Sequence, residues 1–73
     1  MYDTPPPDER LLTRDEVDAY FGISRRFLEL AALNGDGPLM VRVGKRSVRY
    51  RAGDIRAWIK GRTVSSTSAG ENP

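Results

Sequence analysis

The fold is decided by residues 13–35, TRDEVDAYFGISRRFLELAALNG, which contain two short helices and the turn between them. Thr13 and Glu16 form a capping box, because each side chain can accept a hydrogen bond from the other residue's backbone N–H group. Three apolar residues then recur at i, i+3 and i+4, namely Val17, Tyr20 and Phe21. This spacing predicts a helix over about 14–21, and Gly22 supplies the left-handed residue that ends it.

A second helix follows almost at once, because Ser24 is a good N-cap and only Ile23 separates it from Gly22. The pattern predicts this helix over about 25–33, with Asn34-Gly35 as its exit. Its inward side is small or apolar and consists of Leu28, Ala31 and Ala32. Its outward side carries Arg25, Arg26 and Glu29. Two short helices joined by a tight turn that contains glycine are typical of the helix-turn-helix motif.

A short β-hairpin is predicted next, with strands at about 39–43 and 47–51 around the tip Gly44-Lys45-Arg46. Because successive strand residues point to opposite sides, we expect one apolar face and one arginine face. The apolar face comprises Val41, Val43, Val48 and Tyr50. The arginine face comprises Arg42, Arg49 and Arg51.

A third helix over about 54–60 is predicted from the i, i+3, i+4 spacing of its apolar residues, which are Ile55, Trp58 and Ile59. Gly53 is its expected N-cap, and Gly61 is expected to end it. Trp58 has the largest apolar side chain in the sequence and is therefore expected to anchor the core.

The two flanks lack apolar periodicity. Residues 1–10 are rich in proline and are expected to be a polyproline-like or disordered lead-in. Residues 63–73 are rich in serine and threonine and are expected to be a disordered tail. A single folded domain is expected over 11–62. Its order of helix, turn, helix, hairpin and helix predicts an α+β fold that is mainly α, a small winged helix-turn-helix.

Composition excludes several classes of protein. The 73 residues are enough for one small domain. The chain has no cysteine, which excludes disulfides, and no histidine, which removes the usual general base and zinc ligand. No apolar run approaches the roughly 18 residues of a membrane span, and the first residues are too polar for a signal peptide. We expect a cytoplasmic, non-enzymatic module without cofactor, metal or membrane partner.

Charge is distributed unevenly along the chain, although the net charge is only +2. Residues 25–62 contain ten Arg or Lys against three Asp or Glu, whereas residues 1–24 contain two against six. A basic half of a chain indicates a polyanionic partner such as nucleic acid. The alternative is an ordinary solvated basic face.

The outward side of the second helix carries residue types that distinguish base pairs. Arg25 and Arg26 can each donate two hydrogen bonds to a guanine, which discriminates between bases by about 1–3 kcal/mol. Glu29 can accept from a cytosine amino group or orient an arginine. Phe27 either packs on the following loop or contacts a thymine methyl group, and Ser24 lies beside these residues at the helix N-terminus. The alternative is that all are ordinary exposed helix residues.

The predicted hairpin suits a wing beside such a helix. Lys45 and Arg46 can contact phosphates or enter a minor groove. The tip residues expected at DNA are Gly44, Lys45, Arg46 and Ser47. The strand residues expected at phosphates are Arg42, Arg49 and Arg51. The alternative is that these charges protect a strand edge from aggregation.

Four motifs follow one another over about 11–60. They are Leu11-Leu12-Thr13 with Glu16-Val17, Tyr20-Phe21-Gly22-Ile23-Ser24-Arg25-Arg26, Gly44-Lys45-Arg46-Ser47-Val48-Arg49-Tyr50, and Asp54-Ile55-Arg56-Ala57-Trp58-Ile59. In this order and spacing they resemble the excisionase-type, AlpA-like DNA-binding domain, a MerR-related winged-helix family of phages, prophages and integrative elements.

The resemblance implies sequence-specific binding to duplex DNA, with Ser24–Leu33 in the major groove and the Gly44–Ser47 wing on the neighbouring minor groove. It implies a bacterial, nucleoid-bound recombination directionality factor that bends DNA near an attachment site and helps an integrase, or a regulator of an integrase gene. Several members bind as head-to-tail arrays. Two alternatives stay open: a stand-alone transcriptional regulator of this fold, and a protein-interaction module whose basic face meets an acidic partner.

The chain departs from the family pattern at three places. Ala31 stands where a larger aliphatic residue is common, Gly53 stands where serine is common, and the loop Gly35–Pro38 has the longer form. We therefore expect a shallow seat for the second helix, a weaker cap on the third, and a wing whose placement does not follow from the resemblance.

Overall fold

The computed structural model describes residues 4–65, which form three helices and a three-stranded antiparallel sheet, a small α+β domain. The elements are β1 (Leu11–Leu12), α1 (Arg14–Phe21), α2 (Arg25–Asn34), β2 (Val41–Arg42), β3 (Val48–Arg51) and α3 (Ala52–Gly61). The predicted order of helix, turn, helix, hairpin and helix is confirmed. The strand β1 was not predicted.

Local hydrogen bonds begin both helices of the first motif as predicted. The backbone N–H of Thr13 donates to Glu16 Oε1 at 2.9 Å, and the N–H of Glu16 donates to Thr13 Oγ1 at 3.1 Å, which completes the capping box. Ser24 Oγ accepts from the N–H of Phe27 at 3.0 Å. Gly22 and Gly35 end the two helices with φ angles of 75° and 77°. These left-handed conformations favour glycine.

The sheet has the strand order β1-β3-β2, so β3 lies in its centre. Leu12 pairs with Tyr50 across β1 and β3, and both side chains are buried. Leu11 pairs with Arg51, and both are exposed. The short strand β1 thus adds Leu12 to the core directly before α1 begins.

The two faces of the hairpin differ from the predicted ones. Val41 pairs with Arg49 and Arg42 pairs with Val48. Directly opposed residues of an antiparallel pair share a face, so Arg42 lies on the Val48 face, opposite to Arg49. The prediction of separate apolar and arginine faces is therefore wrong. The N–H of Val43 donates to the Ser47 carbonyl at 2.9 Å, which closes the predicted three-residue tip Gly44-Lys45-Arg46. A loop of this length places Arg42 opposite Val48, so the apolar residues of the two strands do not share one face.

The core forms where the sheet packs against the helices. Its buried residues are Leu12, Val17, Leu28, Tyr50, Ala52 and Ile55. Around it pack Tyr20, Phe21, Ile23 and Val48, each partly buried. Trp58 is only half-buried and lies outside this cluster, so the prediction that it anchors the core is wrong. It lies one helical turn after Ile55 on α3, where its ring packs beside that of Phe27 on α2.

The loop after α2 packs back onto that helix. The N–H of Asp36 donates to the Ala31 carbonyl at 3.1 Å, and a Cβ at Gly37 would lie only 2.8 Å from the Ala31 Cβ. The small side chain at position 31 thus leaves room for the loop, and Pro38 is buried beyond it. The backbone of the loop at Gly37 thus occupies the space that a larger side chain at position 31 would fill.

The start of α3 corrects the prediction for its cap. The N-cap is Arg51, which makes no side-chain capping bond, and Gly53 lies inside the first turn. The N–H of Gly53 donates to the Asp8 carbonyl at 2.9 Å, and the N–H of Ala52 donates to the Arg10 carbonyl at 3.0 Å. A Cβ at Gly53 would lie 3.0 Å from the Asp8 Cβ. Glycine here lets the preceding chain approach and satisfy the helix's unpaired amides.

Residues 6–10, part of the predicted disordered lead-in, therefore pack against α3 in the structure. Pro6 is buried, and its carbonyl accepts from Arg56 Nη2 at 2.6 Å. Arg56 Nη1 also forms an ion pair with the carboxylate of Asp8. We call residues 6–10 the N-terminal anchor. Most of the predicted C-terminal tail, residues 66–73, lies outside the described residues.

Candidate nucleic-acid interface

Arg25, at the N-terminus of α2, is held by two carboxylates. Its Nε donates to Glu29 Oε2 at 3.0 Å, and its Nη1 lies 3.2 Å from Asp15 Oδ2 on α1. The hydrogen bond to Glu29 and the charge of Asp15 raise the pKa of the Arg25 guanidinium above its ordinary value. Of the two predicted roles for Glu29, the structure therefore favours orientation of an arginine.

The neighbouring residues of α2 differ from Arg25. Arg26 is exposed, and its side chain has no hydrogen bond or ion pair with any residue of 4–65. Phe27 is 42% exposed, and the centre of its ring lies 5.9 Å from the centre of the Trp58 ring, at an interplanar angle of 53°. Phe27 thus packs toward α3 on one side, and its predicted contact with a thymine methyl group stays a prediction. Ser24 acts as the helix cap.

The hairpin tip, Gly44–Ser47, is exposed throughout. Arg42 Nη1 donates to the carbonyl of Lys45 at 3.3 Å and so bridges the turn. The side chains of Lys45 and Arg46 make no hydrogen bond or ion pair within the described part of the chain. Gly44 does not have a positive φ, so the turn does not require the left-handed conformation at this position.

The two remaining strand arginines are in different states. Arg49 is half-buried and donates from Nη1 to the Val48 carbonyl at 2.9 Å, without a carboxylate partner among residues 4–65. Arg51 Nη1 lies 3.6 Å from Asp54 Oδ2, three residues later on α3. The predicted phosphate contact at Arg51 therefore competes with an ion pair, whereas the one at Arg49 does not.

Two open grooves separate the hairpin from the helix pair. The first is lined by Thr13, Arg14, Asp15, Arg25, Arg46, Ser47, Val48 and Arg49. The second is lined by Arg14, Glu29, Ala32, Leu33, Met40, Arg42, Arg46 and Val48. The fold thus brings six predicted site residues together across these grooves. Of the other predicted site residues, Ser24, Arg26, Phe27, Gly44, Lys45 and Arg51 line neither groove.

Arg14 lines both grooves and was not predicted as a site residue. Its Nε donates to the hydroxyl of Tyr50 at 3.1 Å, and its guanidinium carbon lies 5.9 Å from the centre of the Tyr50 ring. It forms no ion pair within the described range. The only sequence signal was its position as the first residue of α1, which does not show that the hairpin folds next to it.

The cations of residues 25–62 divide into two groups. Three form ion pairs with carboxylates of the described chain, namely Arg25, Arg51 and Arg56. Seven form none there: Arg26, Arg42, Lys45, Arg46, Arg49, Lys60 and Arg62. Four of these seven, Arg42, Lys45, Arg46 and Arg49, belong to the hairpin. Positive charge without a carboxylate partner among residues 4–65 is thus concentrated in the hairpin beside α2.

Within residues 4–65, no helix has the length and apolar character needed to cross a membrane. Comparison with known proteins identifies no matching family model, no similar curated protein and no similar solved structure. The likeness to the excisionase-type family accordingly stays a prediction from the sequence.

Proposed function

We propose that this chain binds duplex DNA in a sequence-specific manner, as a winged helix-turn-helix. In this proposal α2 enters the major groove and the hairpin tip contacts the neighbouring minor groove and its phosphates. The observation that carries it is the hairpin charge: four cationic side chains on β2, β3 and their turn have no carboxylate partner among residues 4–65. Three of the four, Arg42, Arg46 and Arg49, border the two grooves beside α2.

The geometry of α2 supports its role as the recognition helix. Leu28 and Ala31 are buried against the rest of the domain, whereas Arg25 and Arg26 are exposed at the N-terminal end. Recognition helices contact base edges with their N-terminal residues. An exposed arginine can donate to guanine O6 and N7 from this position.

The charge of the hairpin supports phosphate binding. Lys45 and Arg46 extend from an exposed turn and have no protein partner to give up, within residues 4–65, on binding DNA. Each phosphate neutralised by such a cation releases counterions, which favours association and makes it salt-dependent. Arg14, Arg42 and Arg49 add positive charge along the grooves behind the tip.

For its biological role we propose an excisionase or AlpA-like regulator that needs no cofactor and catalyses no reaction. Bending a site of 20–30 base pairs by 40–90° costs on the order of 1–6 kcal/mol. A domain of 73 residues has little surface to offset that cost alone, so several protomers on adjacent sites fit the proposal, with an integrase as a further partner.

A second candidate function is protein–protein interaction, which exposed leucines favour. Leu33 at the end of α2 is 83% exposed and Leu39 in the following loop is 72% exposed. Leu33 also lines the second groove next to Arg42, so an acidic partner with an apolar contact would fit there.

Selection from a random duplex library at near-physiological salt tests the proposal. The selected sequence and a scrambled duplex are then compared across a salt series. A short motif bound at least about a hundredfold more tightly than the scrambled duplex supports specific recognition, and its spacing gives the protomer array. Enrichment without a motif, together with a steep salt dependence, contradicts it and favours the protein-interaction function. An excision assay with and without this chain then separates an excisionase from a regulator.

A further inference from the structure

Asp15 links the two helices of the first motif through Arg25. It lies in the first turn of α1, and its two carboxylate oxygens lie 3.4 and 3.2 Å from Arg25 Nη1. Glu29 occupies Arg25 Nε from the other side. A guanidinium has five N–H donors, so the two hydrogens on Nη2 have no partner within residues 4–65. Nε and Nη1 of Arg25 therefore donate to carboxylates, whereas Nη2 can donate to a ligand.

We propose that Asp15 is a specificity-determining residue, which positions Arg25 for a base and penalises its contact with a phosphate; this rests on the proposed function. A guanine edge is neutral overall and can accept from Nη2 while Asp15 keeps its bond to Nη1. A phosphate at the same place carries a full negative charge and is repelled by the carboxylate beside it. Repulsion by Asp15 thus weakens binding to random DNA, where Arg25 meets a phosphate, more than binding to the correct sequence, where it meets a guanine. The difference raises the ratio of the two affinities.

A purely stabilising role does not account for the pair as well. Asp15 and Arg25 have side chains that are 72% and 57% exposed, and exposed ion pairs contribute little to folding. The N-terminal end of α1 is already completed by the capping box of Thr13 and Glu16. The carboxylate instead lines the first groove, beside the cations proposed to meet DNA.

Asp15→Asn tests the inference, with Asp18→Asn as its matched control. Asp18 lies three residues later on α1, is exposed, and has no side-chain hydrogen bond or ion pair in the described chain. Both substitutions change the net charge equally. We expect Asp15→Asn to lower the affinity ratio of selected to scrambled duplex by about 1.4-fold to fivefold, the range of an exposed ion pair. Asp18→Asn should shift both affinities alike and leave the ratio unchanged.

The Arg25→Gln background completes a double-mutant cycle. If Asp15 acts through Arg25, Asp15→Asn has no further effect on the ratio in that background. Equal ratios in Asp15→Asn and Asp18→Asn overturn the role of Asp15 alone, as does an undiminished effect in Arg25→Gln. If the unsubstituted chain binds selected and scrambled duplex equally, both the proposed function and this inference are overturned.

Discussion

Arg56 and Arg46 both belong to the basic half of the chain, but they differ in whether the folded protein supplies partners for their side chains. Arg56 on α3 donates to the Pro6 carbonyl, pairs with Asp8, and stacks 5.6 Å from the centre of the Phe21 ring. Arg46 at the hairpin tip is exposed and has no such partner among residues 4–65. Arg56 thus binds the N-terminal anchor to α3, whereas Arg46 is available to a ligand.

This difference shows that a count of charges along a sequence overstates the charge that a partner meets. The carboxylate that neutralises Arg56 lies 48 residues earlier, in the acidic part of the chain. The anchor and the core are therefore expected to govern the free energy of unfolding. The hairpin tip and the exposed end of α2 are expected to govern DNA affinity, and the two sets of residues should be separable.

The largest effect is expected for Leu12→Ala, which tests whether the core governs the free energy of unfolding. Leu12 is fully buried against Tyr50, and loss of such a side chain costs about 2–5 kcal/mol of unfolding free energy. Urea denaturation followed by circular dichroism measures it. Leu11→Ala, in the same strand but 40% exposed, is the control and should cost much less. Equal losses in the two variants would contradict the assignment of β1 to the core.

The next largest effect is expected for Arg26→Ala and concerns discrimination between DNA sequences. Its side chain has no partner within residues 4–65, so the free energy of unfolding should change little. Discrimination at one base pair of the selected site should fall by about 1–3 kcal/mol. Competition against single-base-pair variants of that site measures the loss. If the variant weakens every duplex equally, α2 is not the recognition helix.

Lys45→Ala should have a smaller effect that does not depend on sequence. Loss of one phosphate contact lowers the salt slope by about 0.9 and weakens binding about fivefold at physiological salt. Titration of selected and scrambled duplexes across a salt series measures both. Lys60→Ala is the matched control, because Lys60 is also an exposed lysine but lies on α3, away from the hairpin. Equal effects of the two substitutions would remove the hairpin tip from the interface.

The sequence predicts well those features that depend on neighbouring residues. The capping box of Thr13 and Glu16 and the cap at Ser24 each act over three residues, so spacing alone identifies them. The hairpin faces were mispredicted because alternation within each strand does not show which residues of the two strands lie opposite each other; the three-residue turn decides that pairing. The strand β1 has two residues and exists only through its pairing with β3.

The candidate site shows the same division. Exposure of Arg26, Lys45 and Arg46 follows from local pattern and was predicted. The pairing of Arg25 with Asp15 joins two helices, and the place of Arg14 between the grooves requires the hairpin to fold over α1. Such contacts depend on tertiary packing, and neither helical periodicity nor charge counts contain that information.

The smallest effect is expected for Asp8→Asn, which tests whether the anchor is truly separate from the interface. Asp8 and Arg56 have side chains that are 73% and 34% exposed, so their ion pair should contribute only about 0.2–1 kcal/mol to the free energy of unfolding. Glu9→Gln makes the same change of charge at a neighbouring exposed residue that has no side-chain partner in the described chain. Urea denaturation should therefore show a loss for Asp8→Asn beyond that of Glu9→Gln. Any gain in DNA affinity should be the same in both variants, because only net charge has changed there. A larger gain in Asp8→Asn would mean that Arg56, once released, reaches DNA, and that the two regions share their charges.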